Sequence, residues 1–264
     1  RRAEARMQPL RLRLGFGQKS AGTLTLSNTA NTITASTIYV GNSNGANSTG
    51  SSLMTLGTGT NVIAADTINI GFSKSTGTLK FLSQTAGSPG TVTIGGKTTT
   101  KANFVIGSNN GTSTGVSASG TLDLRGHAAT VTAGTVWLGV SNMTSGGGDP
   151  SGTIHFDTGT FTVDNLYIGM KSGADAGSVA NGTLNLSVGT FTVNSGGAFT
   201  LASQSTAGSS AGTLNITGGV FTSNVDILVG GGSSTSTITL NGGTLDLAGN
   251  DIGTSVNPIN ALNF

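Results

Sequence analysis

Apolar and polar residues alternate in short runs along this chain, and the runs return at a near-constant interval. The first reads Gly22-Thr23-Leu24-Thr25-Leu26 and comes back as Gly77-Thr78-Leu79, Gly120-Thr121-Leu122-Asp123-Leu124, Gly152-Thr153-Ile154-His155-Phe156, Gly182-Thr183-Leu184-Asn185-Leu186 and Gly212-Thr213-Leu214-Asn215-Ile216. Weaker copies stand at Ser52-Leu53-Met54-Thr55-Leu56 and Thr237-Ile238-Thr239-Leu240, and the last four full copies are about 30 residues apart. A second run reads Gly159-Thr160-Phe161-Thr162-Val163, Gly189-Thr190-Phe191-Thr192-Val193 and Gly219-Val220-Phe221-Thr222. A third closes on glycine, as in Ile38-Tyr39-Val40-Gly41, Val136-Trp137-Leu138-Gly139 and Leu166-Tyr167-Ile168-Gly169, and a Gly-, Ser- and Asn-rich loop of varying length follows it. Alternation with a period of two puts the apolar side chains of a strand on one side and the polar ones on the other.

Three such strands with glycine corners make one turn of a coil whose successive turns hydrogen-bond about 4.8 Å apart. The expected fold is all-β: a right-handed parallel β-helix, or β-solenoid, with three short strands per coil and about eight coils of roughly 30 residues. Like residues then stack. Phe161, Phe191, Phe221 and Leu245 form one predicted core ladder, and Val40, Ile70, Ile106, Leu138, Ile168, Leu201 and Val229 another. Residues 1–9 read as an N-terminal cap or linker, and 10–264 as a single repeat domain continued by another chain or by further sequence. An antiparallel sandwich or barrel is the alternative, and it favours Asn-Gly hairpin turns between strands. Asn44-Gly45, Asn110-Gly111 and Asn181-Gly182 instead fall in or at the end of the variable loop. The stretch Gly77 to Ser119 is longer than its counterparts, with insertions expected at Ser83 to Pro89 and after Gly107.

Composition narrows the classes further. Of 264 residues 44 are glycine, only 8% are charged and 35% are hydrophobic, which argues against helical bundles and α/β enzymes. Six of the 12 basic residues (Arg1, Arg2, Arg6, Arg11, Arg13 and Lys19) lie near the N-terminus, opposed there by Glu4 alone, so the body carries six basic against nine acidic side chains. No basic face is left to follow a phosphate backbone, and no nucleic-acid partner is expected. With no cysteine there is neither a disulfide framework nor a thiolate metal site, as suits an exported bacterial protein. No apolar run approaches the roughly 20 residues of a membrane span.

The Gly-Thr-Leu-x-Leu and Gly-Thr-Phe-Thr-Val repeats, with Gly249-Asn250-Asp251-Ile252-Gly253 and Asn257-Pro258-Ile259-Asn260-Ala261-Leu262-Asn263-Phe264 after them, resemble the autotransporter-associated strand repeats of large bacterial surface proteins over about residues 10 to 264. The resemblance implies a solenoid fold and an extracellular, cell-surface location. Members of that group are typically much longer, with a signal peptide and an anchoring domain, and their repeats have no fixed catalytic motif to carry over.

Candidate chemistry is sparse. Gly41-Asn42-Ser43-Asn44-Gly45 and Gly208-Ser209-Ser210-Ala211-Gly212 have nucleophile-elbow spacing but no helix after them, and Gly90 to Thr98 departs from phosphate-loop spacing because position 91 is threonine. Six Asn-x-Ser/Thr sequons match chance in a chain so rich in Ser and Thr. Register offers more. On the outward side of the first strand, Asp123 and Arg125 should lie beside His155 and Asp157 of the next coil. That patch suits a cation, acid/base chemistry of the polysaccharide-lyase kind, or two exposed ion pairs, Arg125 with Asp157 and Asp123 with His155. The outward position of the third strand runs Arg13, Tyr39, Asn69, Val105, Trp137, Tyr167, Thr200, Leu228, making Trp137, Tyr167 and Tyr39 candidate binding residues for a glycan or cell surface. Leu12 and Leu14 at one end, and Leu262 and Phe264 at the other, are candidate self-association edges. The expected function is a non-enzymatic extracellular fibre subunit that stacks head to tail with its own kind, without cofactor or metal. An adhesin segment is the second reading and a polysaccharide-active enzyme the third.

Overall fold

A computed structural model describes residues 10–17, 21–43, 50–112 and 115–264, and the side chains of 110–112 are not described. The expected cap or linker at 1–9, the Asn44-Gly45 turn and the sequon at Asn47 lie outside the described residues. In chain order the strands are β1 (Arg11–Phe16), β2 (Thr23–Thr25), β3 (Asn31–Asn42), β4 (Ser51–Leu56), β5 (Thr60–Phe72), β6 (Thr76–Phe81), β7 (Thr91–Gly95), β8 (Ala102–Thr112), β9 (Ser119–Asp123) and β10 (Ala128–Ser145). They continue with β11 (Ser151–Phe156), β12 (Thr158–Lys171), β13 (Val179–Leu186), β14 (Thr190–Gln204), β15 (Ser209–Ile216), β16 (Val220–Ser223), β17 (Ile227–Leu228), β18 (Ser234–Leu240), β19 (Thr244–Asp246) and β20 (Ala261–Asn263).

The strands make two parallel sheets, and no helix is present among the described residues. One sheet runs β2-β4-β6-β9-β11-β13-β15-β18-β20, and the other runs β1-β3-β5-β7-β10-β12-β14-β16-β19, with β8 between β5 and β10 and β17 beside β14. The chain therefore alternates between sheets and advances one place at each return, the strand order of a solenoid. The antiparallel alternative fails on this point, because strands joined by tight hairpins would lie side by side in one sheet. Register follows the repeats residue for residue: Gly120, Gly152, Gly182 and Gly212 are mutual partners, as are Leu122, Ile154, Leu184 and Leu214.

The second and third runs do not stand as separate strands in most repeats. They merge into one long bent strand in β3, β5, β10, β12 and β14, and stay apart as β7 with β8 and β16 with β17. Between β7 and β8 the chain inserts Gly96 to Thr100, whose Lys97 and Thr98 amides both donate to Asp66 Oδ1, at 3.0 and 2.7 Å. At the same bend β14 slips against β12, where Val163 pairs with Val193 but Asn165 with Ala198, whereas β3 with β5 and β10 with β12 keep one register around it.

The core is a set of columns between the sheets. Phe161, Phe191 and Phe221 are register partners and fully buried, with ring centroids 4.5 and 5.4 Å apart and nearly parallel planes, and Leu245 follows Phe221 in register. Val40, Ile70, Ile106, Leu138, Ile168 and Leu201 form a second fully buried column, and Val229, at 7% exposure, is buried one residue past the last paired position of β17. Burying an aliphatic or phenyl side chain contributes about 1.5–3 kcal/mol. No single repeat closes its own core, so the stability is shared between neighbours.

The glycines that end the third run have two reasons to be glycine. Gly139 adopts φ +65°, and a Cβ there would lie 1.8 Å from the Asn181 carbonyl oxygen of the next repeat. Its neighbour across the corner is Gly152 of a Gly-Thr-Ile run, whose own Cβ would meet the Gly139 nitrogen at 2.3 Å. The two repeat glycines thus touch, which explains why both motifs carry one. Ala202 stands at the position equivalent to Gly169 and holds φ +63° despite its Cβ. Ala202→Gly should therefore raise unfolding stability by about 0.5–1 kcal/mol in urea titrations, since relief of left-handed strain exceeds the added chain entropy; a loss of stability would contradict this account.

Candidate functional site

The outward row of the third run is continuous. Pairings link Arg13 to Tyr39, Tyr39 to Asn69, Asn69 to Val105, Val105 to Trp137, Trp137 to Tyr167, Tyr167 to Thr200 and Thr200 to Leu228. Trp137 and Tyr167 are half-buried and stack with centroids 6.0 Å apart and planes within 16°. Tyr39 stands apart from them, because Asn69 and Val105 intervene. Its ring meets Phe72 edge-on at 6.1 Å, and the Arg13 guanidinium lies 5.9 Å from its centroid and 4.1 Å above Phe16.

Beside this row runs a second, formed by the residues just past the corner glycines: Phe16, Asn42, Phe72, Ser108, Val140 and Met170. A positive-φ glycine turns the chain so that the next side chain again faces outward. The two rows bound a groove of about 350 Å³ with walls of Phe72, Val105, Trp137, Val140 and Met170 and a polar margin of Ser108, Asn142 and Ser172. Only Trp137 and Val105 of these lie on the row singled out from sequence. Phe72, Val140 and Met170 fall where the sequence predicts the start of the variable loop, and the signal for them is the apolar residue directly after Gly71, Gly139 and Gly169.

The charged patch is arranged differently from the expected ion pairs. His155 is in register between Asp123 and Asn185 as the repeat requires, but the Arg125 guanidinium closes on Asp123 of its own repeat rather than on Asp157, with Nη2–Oδ2 at 2.6 Å and Nε–Oδ1 at 2.8 Å. β9 ends at Asp123, and Arg125 stands two residues on in the turn made with Gly126 (φ +86°), from which its side chain folds back on Asp123. Asp157 Oδ2 instead accepts the Gly126 N–H at 2.7 Å. Burial works against the Asp123 charge, but the Arg125 side chain and N–H outweigh it and hold the carboxyl below its ordinary range. Burial and then the Arg125 charge push the His155 imidazole below its ordinary value, with Asp123 opposing, while its Nδ1 sits 3.3 Å from the Asn185 amide. The Asn185 Oδ1 in turn accepts from Asn215 at 2.9 Å, so the outward face continues as an amide ladder. Both Asp123 oxygens are engaged by the guanidinium, and the patch acts as a staple between strands.

No known family, curated protein or solved structure matches the chain. Among the described residues no group of three or more His, Cys, Asp or Glu could hold a metal ion, and no helix is long and apolar enough to cross a membrane. The other histidine, His127, is buried, stacks on Phe81 with centroids 3.8 Å apart and donates Nε2–H to the Ser83 carbonyl at 2.6 Å. It lies in a turn outside the repeat period, where alternation carries no signal.

The two edges gather the remaining candidates. At the first, Leu12 and Leu14 pair with Ile38 and Val40 and are half-buried, and a second groove of about 350 Å³ opens among Leu10, Leu12, Leu24, Leu26, Ile33 and Ala35. At the other, Leu262 is 39% and Phe264 88% exposed.

His155 gives a pH test. Its folded value is depressed, so the stability it supports is complete above its unfolded value near 6.5 and is lost as pH falls through the lower folded value. Urea stability should decline as pH falls below about 6.5, and His155→Asn should reduce that decline; an unchanged slope would remove His155 as a source.

Proposed function

We propose that this chain is a non-enzymatic structural segment of an extracellular bacterial surface assembly, extended by head-to-tail association with a second copy of itself. In this reading the two-sheet parallel fold is a right-handed β-solenoid with three strand segments per coil, in about eight coils of roughly 30 residues that rise about 40 Å. The observation that carries it is the contrast within each column. Interior members such as Met54, Leu79, Leu184 and Leu214 are 0% exposed, whereas Leu24 is only half-buried in the second-strand end and Leu262, in the same column, is 39% exposed. Among the described residues the strands β1 and β2, and at the other end β19 and β20, are the last of their sheets, and in this reading each end offers backbone donors and acceptors beside apolar surface. A parallel strand from a second copy satisfies both at once.

The groove at the first edge complements Leu262 and Phe264 at the other. Contact between two different ends of one molecule is heterologous, and a heterologous contact that does not close makes a filament. The extracellular location rests on the resemblance of the repeats to autotransporter-associated strand repeats. The low charge supports end-on stacking, since no strong like-charge repulsion separates the ends.

The purified chain should form filaments as its concentration rises, visible by negative-stain microscopy and as growing mass in light scattering. The double change Leu262→Asp, Phe264→Asp, at exposed positions, should leave the melting transition in place and stop elongation. A monodisperse monomer at high concentration would overturn the proposal.

A further inference from the structure

The aromatic row has a gap, and the gap has the shape and chemistry of a sugar site. Tyr167 covers one face of Trp137. Its other register neighbour is Val105, which is half-buried and too short to cover an indole, and beyond Val105 comes Asn69, 4% exposed. The row thus drops from a bulky ring to two short side chains. Across the drop stands Phe72, steadied from behind by the edge-on contact with Tyr39, and Val140 and Met170 extend the apolar wall. The resulting groove, about 350 Å³, lies within the ~300–1,000 Å³ of small-molecule sites.

The polar margin decides the ligand class. Ser108, Asn142 and Ser172 supply hydroxyl and amide groups, and the Ser172 hydroxyl donates to Asn142 Oδ1, which holds that amide in place. Among the described residues no charged side chain lines the groove. An acidic sugar, a nucleotide or a phosphorylated headgroup would leave its charge uncompensated there. A neutral saccharide fits both halves: the C–H face of a pyranose packs on an aromatic ring, and its hydroxyls meet the Ser and Asn groups.

We infer that the groove between Trp137 and Phe72 binds the pyranose rings of a neutral oligosaccharide, with Trp137 as the stacking platform, Tyr167 as its backing and Asn142 and Ser172 at the hydroxyls. The site lies on the flank, so it stays open whether or not the ends associate. It gives a surface protein of this shape a means of holding extracellular glycan.

The chain has a single tryptophan, so intrinsic fluorescence reports on this site alone. Titration with cellohexaose, xylohexaose and trigalacturonate, paired with calorimetry, tests the inference. A neutral hexasaccharide should change Trp137 emission saturably at millimolar or lower concentration, and trigalacturonate should not. Val105→Tyr fills the gap while keeping Trp137, and should abolish the response with an unaltered melting transition. In calorimetry, Trp137→Phe should retain binding and Trp137→Ala should weaken it at least about tenfold. Flat titrations with both neutral sugars would overturn the inference, as would a response that survives Val105→Tyr. An emission change that tracks protein concentration without sugar would assign the groove to a second copy instead and overturn it equally. The filament assay is read separately on the edge variants, so failure of one reading is distinguishable from failure of the other.

Discussion

Parallel strands about 4.8 Å apart allow only one kind of side-chain order, in which each residue sits over its counterpart one repeat away. The core columns of the described residues obey that constraint wherever their ladders keep register. Inward positions must hold residues whose shapes nest when repeated, and Phe161, Phe191 and Phe221 do so as near-parallel rings. Corner positions must let two backbones approach, which selects glycine at both Gly139 and Gly152. Outward polar positions must not place bare like charges over one another, and the chain fills them with Thr and Asn. The Asn185 to Asn215 bond shows the benefit, because an amide is both donor and acceptor and so satisfies its own copy.

Several of the few charges are answered by a partner in another repeat or in their own loop. Lys101 reaches past the intervening repeat to Asp164, with Nζ 2.7 and 2.8 Å from its two oxygens, and Asn194 donates to the same carboxylate at 2.9 Å. Burial raises the Asp164 carboxyl, and the Lys101 and Asn194 bonds more than reverse it. Buried Lys171 is answered within its own loop, by the Gly173 carbonyl. Exposed pairs of this sort contribute about 0–1 kcal/mol each, so they tune stacking rather than supply it. The columns supply it, and their contribution is fullest where a repeat has a neighbour on both sides.

Whatever repeats along the chain was legible in the sequence. Alternation gave the parallel strands, the aligned Gly-Thr-Leu runs gave their register, and the third-run alignment placed Trp137 beside Tyr167. What depends on a single turn was not legible. Gly126 turns the chain next to Arg125, so the guanidinium serves Asp123 rather than Asp157. The insertion at Gly96 to Thr100 interrupts a strand that runs through in β3, β5, β10, β12 and β14, and no periodicity signals it. Phe72 and Met170 follow a glycine that looks like the end of a strand, yet the left-handed corner returns them to the outer face. For Arg125 and the insertion the deciding quantity is a single local turn without a period; for Phe72 and Met170 it is the glycine dihedral, which recurs in each repeat but is not visible in the alternation of apolar and polar residues.

The division between inward and outward positions also says where novelty can reside. A change in a core column must be matched one repeat above and below, so those columns are bound to their neighbours. The outer row of the third run carries no such bond and reads Arg, Tyr, Asn, Val, Trp, Tyr, Thr, Leu in succession. A solenoid can therefore acquire a site by shortening one outer residue beside a large one, at almost no cost to its core. Val105 next to Trp137 is such a step. A groove made in this way inherits its depth from the difference between two adjacent side chains, and its length from the spacing of the repeats.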